Sequence, residues 1–314
     1  MNRLNILIWH IHGSYLNALG ALDHNWYLPV MPGGPGGRGP AFVGHERMIE
    51  VPAAEVRSLD LDLIIFQSPE NYQEHQFAIL SEEQRRLPKI YLEHNTPRPH
   101  PTDSRHVVDD PNVLLVHVTH FNRLMWDNGR TPTTVIEHSV LLDPTARYTG
   151  ERREGVMVVN GMQKRPRISG YDLFLYARER VPLTCAGMET AQLGGLGDMS
   201  YRTMHHVIGE RRFLFSPMRY TSLPLAVIEG LTIGMPVVAL ATTELPTVIE
   251  DGVHGYLSCD IDALVERMRF LLDNPAEARR MGANARRLAE ERFGIERFKR
   301  DWDRAFAQAV GVKG

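Results

Sequence analysis

Two α/β domains in tandem, each a parallel sheet covered by helices, are what this sequence predicts. The 314 residues give room for two domains of ordinary size. Short apolar runs alternate with helix-like or irregular segments in two successive series. Between the series lies Leu142–Glu154, a polar stretch containing Pro144 and lacking apolar periodicity, which marks the linker. Apolar residues at 43% and charged residues at 23% describe a folded chain with substantial cores.

The first series opens with a buried strand at Asn5–Trp9, a polar loop at His10–Ser14 and a short helix around Tyr15–Leu22. Trp26–Val30, Leu63–Phe66, Lys89–Leu92, Val113–Val116 and Thr134–Ile136 continue as strands. The second starts at Val156–Asn160, followed by a helix at Tyr171–Arg180, a strand at Leu183–Ala186, a helix at Tyr201–Gly209 and a strand at Arg212–Phe215. A helix beginning at Ser222, the strand Pro236–Leu240, a second short helix and a glycine turn come next. Helical periodicity returns in Ile261–Asp273, Ala276–Glu291 and Ile295–Gln308. In the last, Phe298, Trp302 and Phe306 share one face. Such alternation places ligands near the carboxyl ends of the strands.

The richest stretch is RFLFSPMRYTSLPLAVIEGLTIGMPVVALATTELPTVIEDGVHGYLS, residues 212–258. Ser222 is the right residue type to cap the following helix, with Pro224 in its first turn. The amides left free there, those of Leu225 and Ala226 above all, form an anion site. Glu229 lies about 6 Å further along the axis, a depth that suits a ribose diol beyond a bound phosphate. An ordinary crossover helix with a solvated glutamate fits the same pattern.

Several classes are excluded. A net charge of −3 gives no general field for nucleic acid. Cys185 and Cys259 have no metal-site spacing, and buried thiols in a reducing cytoplasm are the simplest expectation. Met1–Trp9 is too short and polar for a signal peptide, and no apolar run reaches membrane-spanning length, which leaves peripheral contact at an inner membrane face. The first βα turn, WHIHGSYLNALG, lacks the glycine spacing of a dinucleotide site, and no Gly-x-Ser-x-Gly elbow occurs. Pro32–Gly39, PGGPGGRG, has no Walker lysine and fits a mobile loop better than a phosphate cradle. His10 and His12 lack a third ligand at zinc spacing, so no metal is expected. Asp198, His120 and His138 are second-rank polar candidates, while His205 and His206 sit mid-helix.

The order and spacing of SLPLAVIEGLTIGMPVV and TTELPTVIEDGVHGYL resemble those of retaining glycosyltransferases with the GT-B fold, of the family 4 type also called group 1 glycosyl transferases. The resemblance is strongest over Phe213–Leu257, weaker back to Val156 and through the C-terminal helices, and diffuse before the linker. It implies two Rossmann-like domains facing a cleft: 1–148 on the acceptor side, 149–293 binding nucleotide sugar, and 294–314 a helix crossing back to the first domain.

The family's Glu-x7-Glu motif places its second Glu on Glu229, whereas the first falls on Thr221. Threonine offers one hydroxyl and no charge where the family uses a carboxylate near the donor sugar. The resemblance also implies basic groups on the donor diphosphate. Lys164, Arg165 and Arg167 in NGMQKRPRISGYD are the candidates, Arg167 first, and Ser169 stands where a lysine is expected. All three equally fit a solvated basic loop. His94 matches a family histidine near the sugar or phosphate, as a neutral donor or as an imidazolium. Gly13 faces the same expected cleft, and Glu244 either contacts the donor or supports its loop.

What the resemblance implies is a transferase that takes a UDP- or GDP-sugar as donor and a glycan, lipid or small molecule as acceptor, with no tightly bound cofactor and no metal. The departing phosphate helps to take the acceptor's proton. A nucleotide-sugar hydrolase or epimerase is one alternative. The missing first Glu supports another, a catalytically silent subunit paired with a partner transferase. A second copy of the chain is a further compatible partner.

Overall fold

In the computed structural model residues 2–31 and 45–311 are described; the glycine-rich Pro32–Gly39 lies outside them. The chain divides into two compact units, Met1–Leu141 with Ile295–Gly314, and Leu142–Gly294.

Unit 1 is built on seven strands: β1 (Asn5–Ile8), β2 (Asn25–Val30), β3 (Met48–Pro52), β4 (Leu63–Phe66), β5 (Lys89–Glu93), β6 (Val113–His117) and β7 (Thr133–Val135). They form one sheet in the order β3-β2-β1-β4-β5-β6-β7, and every pairing is parallel. Its helices are α1 (Gly13–Gly20), α2 (Gln76–Ile79) and α3 (His120–Met125).

Both faces of this sheet are covered, which is why its strands read as unbroken apolar runs. In β1, Ile6 and Ile8 join one core, whereas Leu7 and the following Trp9 join the other. The first core also contains Phe298, Trp302 and Phe306 of the last helix in the chain. Trp302 donates its indole N–H to the Tyr15 hydroxyl at 3.2 Å. Arg297 fixes the same helix by donating to the carbonyls of Glu137 (2.8 Å) and His138 (2.6 Å).

Unit 2 has five strands: β8 (Arg152–Val158), β9 (Leu183–Ala186), β10 (Arg211–Ser216), β11 (Val237–Leu240) and β12 (Gly255–Ser258). Their order is β12-β11-β10-β8-β9, again all parallel. The helices are α4 (Pro166–Ser169), α5 (Tyr171–Arg178), α6 (Tyr201–Gly209), α7 (Leu225–Ile233), α8 (Leu245–Val248), α9 (Ile261–Asp273) and α10 (Pro275–Arg292); α11 (Ile295–Ala309) is the helix that belongs to unit 1. No helix among the described residues is long and apolar enough to cross a membrane.

Several features depart from the sequence reading, which assigned no strand at β3 or β12. β8 starts at Arg152, inside the stretch read as linker. Its first residues are polar because they lie at an exposed strand end, where Arg152 pairs with Glu210 and Arg153 with Asp273. Cys185 is buried, but Cys259 is exposed in the turn after β12 rather than packed.

Candidate functional site

In unit 2 the strand order reverses between β8 and β10: the chain runs outward from β8 to β9 on one side and through β10, β11 and β12 on the other. Crevices at the carboxyl ends of such strands are where open parallel sheets hold ligands. Two loops meet there, one from β8 into α5 and one from β10 into α7.

The loops are tied together. The Arg219 amide donates to the Ile168 carbonyl at 3.0 Å. The Arg219 guanidinium reaches the Arg167 carbonyl at 2.8 Å and grips both oxygens of Asp172 at 2.7 Å. Gly170 allows the approach. It has φ +76°, and a Cβ there would stand 2.1 Å from the Pro217 carbonyl oxygen.

α7 begins at Leu225, with Pro224 at the N-cap and no side-chain cap. Ser222 therefore does not cap it, contrary to the sequence expectation. Pro224 forces Leu223 out of helical conformation, so the helix cannot start earlier. Instead the Ser222 carbonyl accepts from the Thr243 hydroxyl at 3.2 Å. Val227 and Ile228 donate to the Pro224 carbonyl at 3.0 and 3.4 Å. The amides of Leu225 and Ala226 lie ahead of these first ring closures, in the turn where a helix leaves N–H groups without intrahelical partners. A small recess borders that end, lined by Pro217, Met218, Pro224 and Ala226 among others. Thr221 stands in the same loop, half-buried.

Glu229 is 4% exposed. Its Oε2 lies 3.5 Å from Nε2 of His205 on α6. Glu244 is buried too, but its Oε1 accepts from the Thr247 hydroxyl at 2.8 Å and lies 3.7 Å from Arg292.

The basic side chains divide. Lys164 is largely exposed and paired with Glu189. Arg165 is exposed, its carbonyl accepting from the Ser169 amide at 2.9 Å. Ser169 does not take the place of a ligand-facing lysine; its hydroxyl donates to the buried Met162 carbonyl at 2.9 Å. Arg167 is largely exposed and shares the Asp172 carboxylate with Arg219. Arg219, half-buried in the loop from β10 into α7, is a cation that sequence reasoning missed. Its place two residues before Thr221 was the available signal.

His94 and Gly13 belong to unit 1. Gly13 is the first residue of α1, directly after the β1 loop. His94 follows β5 and is buried, its ring edge-on to those of His12 (4.6 Å) and Tyr15 (5.0 Å). Gln67 donates its amide to the Trp9 carbonyl, so its Oε1 accepts, and His94 Nε2 is the donor at 2.8 Å. Burial, followed by the neighbouring His12 and His138, holds the His94 pKa well below its ordinary value. The imidazolium form expected as one option is therefore disfavoured, and the one N–H of the neutral ring is spent on Gln67 rather than left for a sugar. His138 is also buried, whereas His120 and Asp198 are exposed. Among the described residues no group of three or more His, Cys, Asp or Glu is placed to hold a metal ion.

With this geometry in view, comparison with solved structures settles the architecture. Sucrose-phosphate synthase from Thermosynechococcus elongatus superposes with a TM-score of 0.72 at 15% identity, over 99% of this chain and 100% of that one. HepE from Anabaena, solved with UDP and glucose, gives 0.71 at 14% identity over 97% and 100%. The fold is GT-B. Residues 190–288 match the family model "Glycosyl transferases group 1", and this segment contains α6, Arg219, Thr221, the α7 start and Glu229. The MMP alpha-(1->4)-mannosyltransferase of Mycolicibacterium hassiacum is 36% identical over 99 residues, 31% of this chain. The match spans only 22% of that relative's length.

Proposed function

We propose that this chain is a retaining glycosyltransferase that moves a sugar from a nucleotide diphosphate donor to a saccharide, lipid or small-molecule acceptor. One observation carries the reading. At the switch point of unit 2, the anion-binding amides of Leu225 and Ala226 stand one helical turn from the buried carboxylate of Glu229, inside the segment that matches group 1 glycosyl transferases.

On this reading the diphosphate meets the α7 start, and Glu229 accepts from the ribose hydroxyls. The bond between the anomeric carbon and the β-phosphate oxygen breaks, and negative charge grows on the departing diphosphate. The Leu225 and Ala226 amides, with Arg219, Arg167 and Lys164, oppose that charge. The acceptor oxygen bonds to the anomeric carbon from the leaving-group face, and its proton passes to the departing phosphate. No side-chain nucleophile is required. The acceptor is assigned to unit 1; the single N–H of neutral His94 there is committed to Gln67.

Thr221 favours a second reading, a subunit that binds nucleotide sugar without turnover, because its hydroxyl cannot replace a carboxylate. A panel of UDP- and GDP-sugars with candidate acceptors separates the readings. Transfer product with retained anomeric configuration is the expected result. Free sugar alone indicates hydrolysis, donor binding without product supports the silent subunit, and absence of donor binding removes both.

A further inference from the structure

We infer that His205 is a positioning residue for Glu229, orienting its carboxylate toward the ribose of the donor. The inference rests on the proposed ribose role of Glu229 and adds to it the group that aims it.

His205 is completely buried, and neither of its ring nitrogens has a hydrogen-bond partner. A buried polar group left unpaired is unfavourable, so its surroundings bear on why it is there. The side chain projects from α6, and its Nε2 lies 3.5 Å from Glu229 Oε2 on α7. The Tyr201 ring stands perpendicular to the imidazole at 4.5 Å and limits its rotation. Glu229 in turn has little water around it.

A carboxylate offers about four acceptor positions. An N–H from His205 closing on Oε2 fixes the rotation of the carboxylate and leaves Oε1 and the remaining lone pairs for the diol. Ribose binding displaces the residual water at Glu229, which strengthens a charge-assisted contact of this kind. The free chain thus holds the imidazole just outside hydrogen-bond range, and the bound nucleotide completes the pair. The helix α6 becomes part of the nucleotide site through this one side chain, although it lies outside the loops that carry the anion donors.

Calorimetry tests the inference with UDP, GDP and the 2′,3′-dideoxy counterpart of whichever binds the unmodified protein more tightly. The unmodified protein is expected to prefer the ribose form by roughly ten- to a hundredfold. His205→Phe, which keeps the contact with Tyr201 but removes both nitrogens, should reduce that preference to about threefold or less. Its dideoxy affinity should stay within about twofold, since a positioning role leaves the phosphate site alone. His205→Gln, which retains an N–H, should keep most of the preference. If the Phe variant fails to fold, His205→Met carries the same test. A folded Phe or Met variant with the full ribose preference overturns the role of His205 while the ribose reading stands. Glu229→Gln separates the two failures: if that variant keeps the preference, the ribose reading itself falls and the inference with it.

Discussion

Arg219 and Asp172 meet side-on, Nη1 to Oδ1 and Nη2 to Oδ2, both at 2.7 Å. The planar guanidinium matches the carboxylate in a way a lysine cannot. Arg219, followed by desolvation against it and then by the charges of Arg219 and Arg167, sets the balance that keeps the Asp172 carboxyl below its ordinary pKa. One carboxylate facing two guanidiniums leaves surplus positive charge where the two loops of unit 2 meet.

Arg219→Ala should therefore weaken nucleoside diphosphate binding by about tenfold, the effect of losing one charge-assisted contact. Arg167→Ala, removing a more exposed side chain, should cost about threefold or less. Titration of both variants with UDP and GDP checks the order. A larger loss for Arg167 would show that the exposed arginine, not the clamped one, meets the phosphates.

Gly170→Ala makes no direct change to any proposed ligand contact, yet it should disturb the site. The left-handed φ costs about 1–2 kcal/mol for a non-glycine residue, and the new Cβ collides with the Pro217 backbone. A folded variant should show diphosphate affinity reduced by about fivefold or more, with a melting temperature lower by several degrees. Unchanged values for both would mean that the two loops are not held together in solution.

Thr221 sits in the loop rather than at the helix-end donors. Thr221→Ala should leave nucleoside diphosphate affinity within about twofold, because no phosphate or ribose contact is assigned to it. Its effect should appear with the intact nucleotide sugar instead. Measuring both ligands on the same variant decides the matter, and an equal loss for both would move Thr221 into the nucleotide site.

Most strands of both sheets were legible because burial on two faces leaves Val, Ile, Leu and Phe in short continuous runs, as in Leu63–Phe66 and Phe213–Phe215, whereas β12, opening on Gly255, was read as a turn. β3 was not legible, since an edge strand with Glu50 and Pro52 exposed carries no such run. Glu229 stood out through its spacing from the helix start. The cap was misread because Ser222 has a favourable side chain while the backbone constraint comes from Pro224, two residues on. Arg219 was missed for a different reason: its partner Asp172 is 47 residues away, and no local pattern announces a contact of that range. His205 reads as an ordinary mid-helix histidine until α6 and α7 are seen to pack.

Trp302 tests whether α11 is integral to unit 1. Its side chain is fully buried among Tyr15, Phe298 and Phe306. Trp302→Ala should cost about 3–5 kcal/mol, the usual range for an aromatic cavity in a core, and it also removes the donor to the Tyr15 hydroxyl. Chemical denaturation gives the value. A loss below about 1 kcal/mol would show that the helix is not docked there in solution.

The buried histidines of unit 1 predict acid sensitivity with a definite sign. Desolvation is the largest cause in both cases, and it pushes His117 down to about 4 and His138 down to about 3, from 6.5. The folded chain keeps both rings neutral while the unfolded chain takes up protons below about pH 6.5. Stability is thus full above that pH and declines as the pH falls toward the folded values, by up to about 1.4 kcal/mol per pH unit for each ring. His117→Gln removes one titrating group and retains an amide donor for Asn128, which His117 Nε2 contacts at 2.7 Å. Between pH 6.5 and about 4.5, its unfolding free energy should decline less steeply than that of the unmodified protein. Denaturant titrations across that range measure both slopes. Identical slopes would mean that His117 is already protonated in the folded chain, or that the ring lies open to water.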